Sequence, residues 1–180
     1  MLTCDLFRLC CVPNLMNSTF SPDFFSTGQL CLDTGGDPLT VPVVLESEND
    51  PVSSDFVRSF KAGRQSTYIL YDGGLQAGSV VACGLNDVGQ LGDGTFNDSF
   101  GTAVPFPTSA NDVVYVGSGP SAESVFYITE GGTAYGSGLN DKGQLGVGDS
   151  MNRNSPVLIQ FPNSADIRDI SASNTHTAAW

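Results

Sequence analysis

Few residues in this chain of 180 are of types that could do chemistry, and each brings a specific demand. His176 is the sole histidine, so a Ser-His-Asp triad or an imidazole-bound metal would depend on it alone. Asp33-Thr34-Gly35 has the letters of an aspartic-protease loop, but that chemistry needs two carboxylates sharing one proton. No second Asp-Thr/Ser-Gly follows, so only a dimeric protease could use it; the spacing predicts a turn there instead. Gly117-Ser-Gly119-Pro-Ser-Ala122 is spaced like a dinucleotide loop, yet Pro120 and a β-type run follow where a helix start would have to hold the pyrophosphate. The acidic loop from Asp93 to Asp98 lacks the ligand spacing of a calcium loop. Five cysteines, at 4, 10, 11, 31 and 83, form no C-x-x-C and have no paired histidine. Their odd number and crowding towards the start speak against both a zinc site and a disulfide framework, so reduced thiols are expected. The reading is therefore no catalytic residue, no metal and no cofactor, with a dimeric aspartic protease as the remotest alternative.

The elements that would have to position any site are short. Glycine is abundant, 21 residues, with 10 prolines, so many turns are expected. Strand-type runs such as Tyr68-Ile-Leu70, Val80-Val-Ala-Cys83, Val113-Val-Tyr-Val116 and Val125-Phe-Tyr-Ile128 lie between glycine clusters, and no capped helical period appears. No apolar stretch is long enough for a membrane helix, and Met1–Leu15 reads as neither a signal peptide nor an anchor. Without an export signal, the glycosylation triplets at Asn17 and Asn97 carry no weight. The net charge of −12 argues against direct nucleic-acid binding, which needs cations against phosphates. It fits a soluble protein whose acidic face could attract a basic partner.

A repeat organises the rest. "GLNDVGQLGDGT" from Gly84 and "GLNDKGQLGVGD" from Gly138 differ in their first nine letters only at Val88 and Lys142. The two lie 54 residues apart (138 − 84), and a worn copy at 27–34 keeps Gly28, Gln29 and Leu30, with Cys31 in place of the last glycine. Each copy is followed by a polar stretch and then a proline beside apolar residues. One short β unit per 54 to 61 residues (89 − 28 for the longer spacing) predicts stacked all-β modules. In each phrase the glycines, Gly84, Gly89 and Gly92 or Gly138, Gly143 and Gly146, would reverse the chain. Asn86 and Asn140 would bond turn amides. Gln90 and Gln144 would satisfy buried backbone, and Leu91 and Leu145 would fill the space between modules.

The pattern G-x-N-x-x-G-Q-L-G-x-G resembles the signature of the regulator of chromosome condensation repeat family, over about residues 27–180. That resemblance implies a propeller of about seven blades. It also implies a strand corner of Gly-x-x-His-Thr type, which 63–67 and 173–177 fit, with Ser66 and His176 in one slot; the middle copy, 117–124, departs from it with a longer loop. The expected fold is all-β: a partial propeller of about three blades of antiparallel four-stranded sheets. Residues 1–26 are unassigned, and the repeats run approximately 27–83, 84–137 and 138–180, the last incomplete. Three phrases fall short of a closed ring, so the chain is expected to be a fragment of a larger propeller, with assembly of several chains into a ring as the second option.

The function this implies is protein binding by a scaffold. The loops at 46–55, 93–103 and 147–155 would form the docking surface through Glu46, Glu48, Asp50, Asp55, Asp93, Asp98 and Asp149, against a basic partner. The alternative implied by the resemblance is guanine-nucleotide exchange on a small GTPase, which needs surface contacts and no bond chemistry. Further blades or self-association would cover the open ends, and the expected compartment is intracellular, cytoplasmic or nuclear.

Overall fold

A computed structural model describes residues 57–72, 77–106, 112–161 and 167–180. Gly28, Gln29, Leu30, Asp33, Glu46, Glu48, Asp50 and Asp55 lie outside the described residues. Within them the chain is all strand and turn. Strands β1 (Val57–Ala62), β2 (Ser66–Tyr71), β3 (Val80–Gly84) and β4 (Ser99–Ala103) form one antiparallel sheet in that order. Strands β5 (Val113–Gly117), β6 (Ser124–Thr129), β7 (Ala134–Gly138) and β8 (Arg153–Ile159) form a second of the same order. Strands β9 (Ile170–Ala172) and β10 (Thr177–Ala179) form a two-stranded third. No helix among the described residues is long and apolar enough to cross a membrane.

The sheets stack as propeller blades do, and β6 shows why the sequence requires it. All six of its residues are buried, so its apolar run is continuous where a half-exposed strand would alternate. Val125 and Tyr127 point into a core shared with Tyr68, Leu70, Val80, Ala82 and Leu91 of the first blade. Phe126 and Ile128 point the other way, into a core with Leu145, Ile159, Ile167, Ile170 and Ala172. Each such side chain removed from water contributes roughly 1.5–3 kcal/mol, so a blade alone would lose one whole face of that stabilisation.

Three expectations are corrected. The loop expected at 93–103 ends at Asp98, because Ser99–Ala103 is a strand paired to β3 (Gly84↔Ser99, Val81↔Ala103). The loop expected at 147–155 likewise ends at Asn152, with Arg153 opposite Gly138. A blade needs its fourth strand to cover the third, and that demand takes residues that look loop-like by composition. Cys83, expected as a reduced thiol, is disulfide-bonded. The repeat units 84–137 and 138–180 also straddle blades, since the phrase lies between the third and fourth strands of a sheet.

Candidate interaction surface

The two complete copies of the repeated phrase form one turn built twice. Gly84 and Gly138 end β3 and β7 with φ of 114° and 99°. A Cβ on either would strike backbone at the start of the second strand: Gln65 O and Ser66 for Gly84, Glu123 O and Ser124 for Gly138. Glycine is required there by close approach as well as by backbone sign. The following leucine amides, Leu85 and Leu139, donate to those same carbonyls at 2.9 and 2.8 Å.

Asn86 and Asn140 are the centres of the turns, both fully buried. Their Oδ1 atoms accept from the Leu91 and Leu145 amides at 2.9 Å each. The Nδ2 of Asn86 donates into a cage of oxygens: Asp93 Oδ1 at 3.2 Å, Thr95 O at 3.2 Å, Thr95 Oγ1 at 3.3 Å and Asn97 O at 3.0 Å. Asn140 Nδ2 has a smaller set, Asp149 O at 2.9 Å and Asp149 Oδ1 at 3.3 Å. Gln90 and Gln144 fold back within their turns: Oε1 accepts from Val88 N (3.0 Å) and Lys142 N (2.9 Å), and Nε2 donates to Asp87 and Asp141. Leu91 and Leu145 are buried in the first and second inter-blade cores.

The carboxylates expected to face a partner are partly engaged in holding these turns. Asp93 Oδ1 also accepts from the Thr95 amide and hydroxyl. Asp98 Oδ1 accepts from the Asn86 amide at 2.8 Å, while in the second turn Asn152 Oδ1 does the same for Asn140 at 2.9 Å. Asp149 accepts from Met151 N at 2.9 Å and pairs with Arg153 at 2.5 Å. The Met151 amide first, and then Arg153, hold its carboxyl below the usual range. Asp141 is lowered by Lys142, 2.8 Å away, and then by Gln144. Residues 84–99 carry Asp87, Asp93 and Asp98 and no cation, whereas the matching 138–153 balance Asp141 and Asp149 with Lys142 and Arg153. Phe96, 52% exposed, projects from the acidic turn, and Met151 is exposed on its counterpart.

The corners stitch neighbouring blades. Gly63 N donates to Ser66 O and Ser173 N to His176 O, both at 2.9 Å, so Ser66 and His176 occupy matching positions. The middle corner, between β5 and β6, is longer and closes differently: Ala122 N donates to Gly119 O at 2.8 Å and Ser118 Oγ to Ser124 O at 3.1 Å. Arg64 donates its amide to Ala122 O at 2.9 Å and its guanidinium to Glu123 at 2.6 Å. His176 is exposed, with Nδ1 3.0 Å from Thr175 Oγ1, and no cluster of metal-ligating groups occurs among the described residues.

Sequence reasoning missed the link at the β1–β5–β9 edge. Lys61 Nζ sits 5.1 Å from the Tyr115 ring centre, and burial followed by Asp169 pushes the Tyr115 hydroxyl up to about 12. Three blades contribute one residue each, and nothing in the spacing of unlike residue types gave it away.

Residues 131–180 match the model of the regulator of chromosome condensation (RCC1) repeat. The ultraviolet-B receptor UVR8 of Arabidopsis thaliana is 31% identical over 105 residues, which are 57% of this chain and 23% of the receptor. Among solved structures, human WBSCR16 is similar at 25% identity and a TM-score of 0.60, covering 68% of this chain and 30% of that one. Yeast RCC1 (Prp20) bound to Kap60 matches at 16% identity and 0.55, over 69% of this chain and 30% of that one. Prp20p of Saccharomyces cerevisiae, described with its binding to Gsp1p and histones, matches at 17% and 0.54, over 69% and 31%. The last two bear on the fold alone. The chain thus spans about a quarter to a third of the length of these relatives.

Proposed function

From a chain built of regulator of chromosome condensation repeats and folded as part of a β-propeller, we propose a protein-binding scaffold whose docking surface centres on the turn 84–98. The observation that carries this reading is the unbalanced turn. Asp87 and Asp98 are exposed with no cation in the turn, and Phe96 stands among them as an apolar anchor. An aromatic side chain within a charged rim is the arrangement that contributes most at protein interfaces. The partner is a protein with a basic surface; the histones named for the yeast relative are one such class.

The test uses core histones as the basic probe in a kinetic binding assay at low and physiological salt. The double variant Asp87→Asn/Asp98→Asn should associate several-fold more slowly at low salt, and Phe96→Ala should dissociate faster. Equal rates for the wild type and both variants would refute the assignment to this turn. Guanine-nucleotide exchange is read out separately, as nucleotide release from a panel of small GTPases.

A further inference from the structure

Ser99 and Arg153 hold one place in the two blades and differ in what they bring to it. Each opens the fourth strand of its sheet, Ser99 opposite Gly84 and Arg153 opposite Gly138. In the second turn the arginine folds back over the loop that it ends. Its Nη2 donates to Asp149 Oδ2 at 2.5 Å, and its Nη1 donates to Met151 O at 2.8 Å and lies 3.5 Å from Asn152 O. The Arg153 side chain is only 21% exposed in consequence. A planar fork of fixed donors spans such a set of acceptors, whereas an ammonium would meet them from a single point. The guanidinium is therefore a seated part of the second turn.

The first turn keeps the acceptors and lacks the donor. Asn97 O and Asp98 O stand where Met151 O and Asn152 O do, 54 residues on (151 − 97). Asn97 O accepts from Asn86 Nδ2 at 3.0 Å and has a second lone pair. The carboxylate comes from Asp93, because Thr95 replaces Asp149. Asp93 Oδ1 accepts from the buried asparagine amide at 3.2 Å, as Asp149 Oδ1 does at 3.3 Å. Each of these oxygens also accepts from the backbone amide two residues on, at 2.9 Å. Asp93 Oδ2 is then the counterpart of the oxygen by which Asp149 holds Arg153. Asp98 adds a second carboxylate where Asn152 is neutral, and Ser99 Oγ accepts from Gly101 N at 3.1 Å.

The ion pairs among the described residues include neither Asp93 nor Asp98. Thr95, Phe96, Asn97 and Asp98 are exposed, so these acceptors can be approached from solvent. Phe96 adds an aromatic surface of the kind on which a guanidinium stacks.

We propose that the first turn takes an arginine of the partner protein, its guanidinium lying on Asp93, Asp98 and Asn97 O as that of Arg153 lies on the second turn. The proposal rests on the docking role assigned to this turn, and it narrows the partner from a basic surface to an exposed arginine.

The test titrates the full chain at physiological salt with two labelled peptides of equal length and charge, read by fluorescence anisotropy. One carries three arginines among glycines and serines, the other three lysines. The arginine peptide should bind about tenfold more tightly, the worth of one or two further hydrogen bonds. Ser99→Arg sets a guanidinium into the turn from within the chain, where the second blade already accommodates one. That variant should bind the two peptides equally, while Ser99→Gln, long but uncharged, should keep the preference. Arg153→Gln makes the reverse change: it uncovers Asp149 and should add a second, weaker site for the arginine peptide. Equal affinity of the wild type for both peptides, lowered by Asp87→Asn/Asp98→Asn, overturns the arginine assignment and leaves the docking turn standing. A wild type that binds neither peptide overturns both. A preference that survives Ser99→Arg puts the arginine elsewhere on the chain and overturns the proposal equally. Should Ser99→Arg lower the denaturation midpoint, Arg153→Gln decides alone, and an unchanged stoichiometry overturns the proposal.

Discussion

Turns 84–98 and 138–152 have nearly one sequence and two environments. Around Gly89 the next blade is in place: a Cβ there would lie 2.6 Å from Asn154 Cα and 2.8 Å from Arg153 O. Around Gly143 the nearest atom to such a Cβ is Asp149 O at 3.7 Å, within the same turn. Gly94 N donates to Asn154 O at 2.7 Å, and Gly94 O accepts back from Asn154 Nδ2 at 2.8 Å. The shared letters therefore specify the turn itself. What differs is the charge that each turn leaves unbalanced.

The glycines should break the equivalence most. Both Gly89 and Gly143 have positive φ, 81° and 73°, so alanine at either costs about 1–2 kcal/mol in backbone strain. At Gly89 the added methyl also overlaps the next blade's backbone, which adds about 1–3 kcal/mol. Gly89→Ala should lose about 4 kcal/mol in a denaturant titration. A loss of only about 1 kcal/mol would mean the two four-stranded blades do not meet as described.

Next comes a core leucine. Leu91, which is fully buried between the two four-stranded blades, should cost about 3–4 kcal/mol as Leu91→Ala in the same titration.

The turns were legible in the sequence because their constraints are local. A glycine needed for its φ, an asparagine that bonds amides five residues on, and a glutamine that folds back two residues all leave their letters in the same phrase. The strand runs were legible for a related reason, since the fully buried β6 cannot alternate. What escaped is non-local or concerns direction. Asp93 and Asp98 look like free surface charge by composition, and only the position of the Asn86 amide shows them bound inward. β4 was hidden because Ser99-Phe-Gly-Thr-Ala has no strand-like run of its own and is held by Gly84 and Val81 across the sheet. The Lys61–Tyr115–Asp169 link joins residues whose separations follow no repeat.

Alkaline pH should act on one interface more than the other. Tyr68 and Tyr127 belong to the first core, and burial pushes both hydroxyls well above their ordinary value of 10.0. The folded chain then holds protons that an unfolded chain releases near pH 10, so stability is intact below about pH 10 and falls as pH rises beyond it. Tyr68 donates to Gln90 O at 2.9 Å, but the Tyr127 hydroxyl has no hydrogen-bond partner. Tyr127→Phe should leave Tm at neutral pH nearly unchanged and flatten the decline above about pH 10, whereas Tyr68→Phe should lower neutral stability by about 1 kcal/mol. An unaltered alkaline slope in Tyr127→Phe would mean that this phenol's proton does not contribute to the decline.

The smallest expected effect is the most informative about function. Asp98 and Asn152 hold corresponding places, and each offers Oδ1 to the amide of the buried asparagine, at 2.8 and 2.9 Å. Asparagine is thus already the working residue in one copy of the turn. Asp98→Asn should preserve the bond and change stability by no more than about 0.5 kcal/mol, while removing one of three uncompensated charges from the acidic turn. A drop in the rate of association with a basic protein at low salt, with the denaturation midpoint unmoved, would then be an effect of charge alone. The reciprocal Asn152→Asp adds a carboxylate to the balanced turn and tests the same point from the other side. If it raised association as much as Asp98→Asn lowered it, overall net charge would be the cause, and the local imbalance of 84–98 would carry no special role.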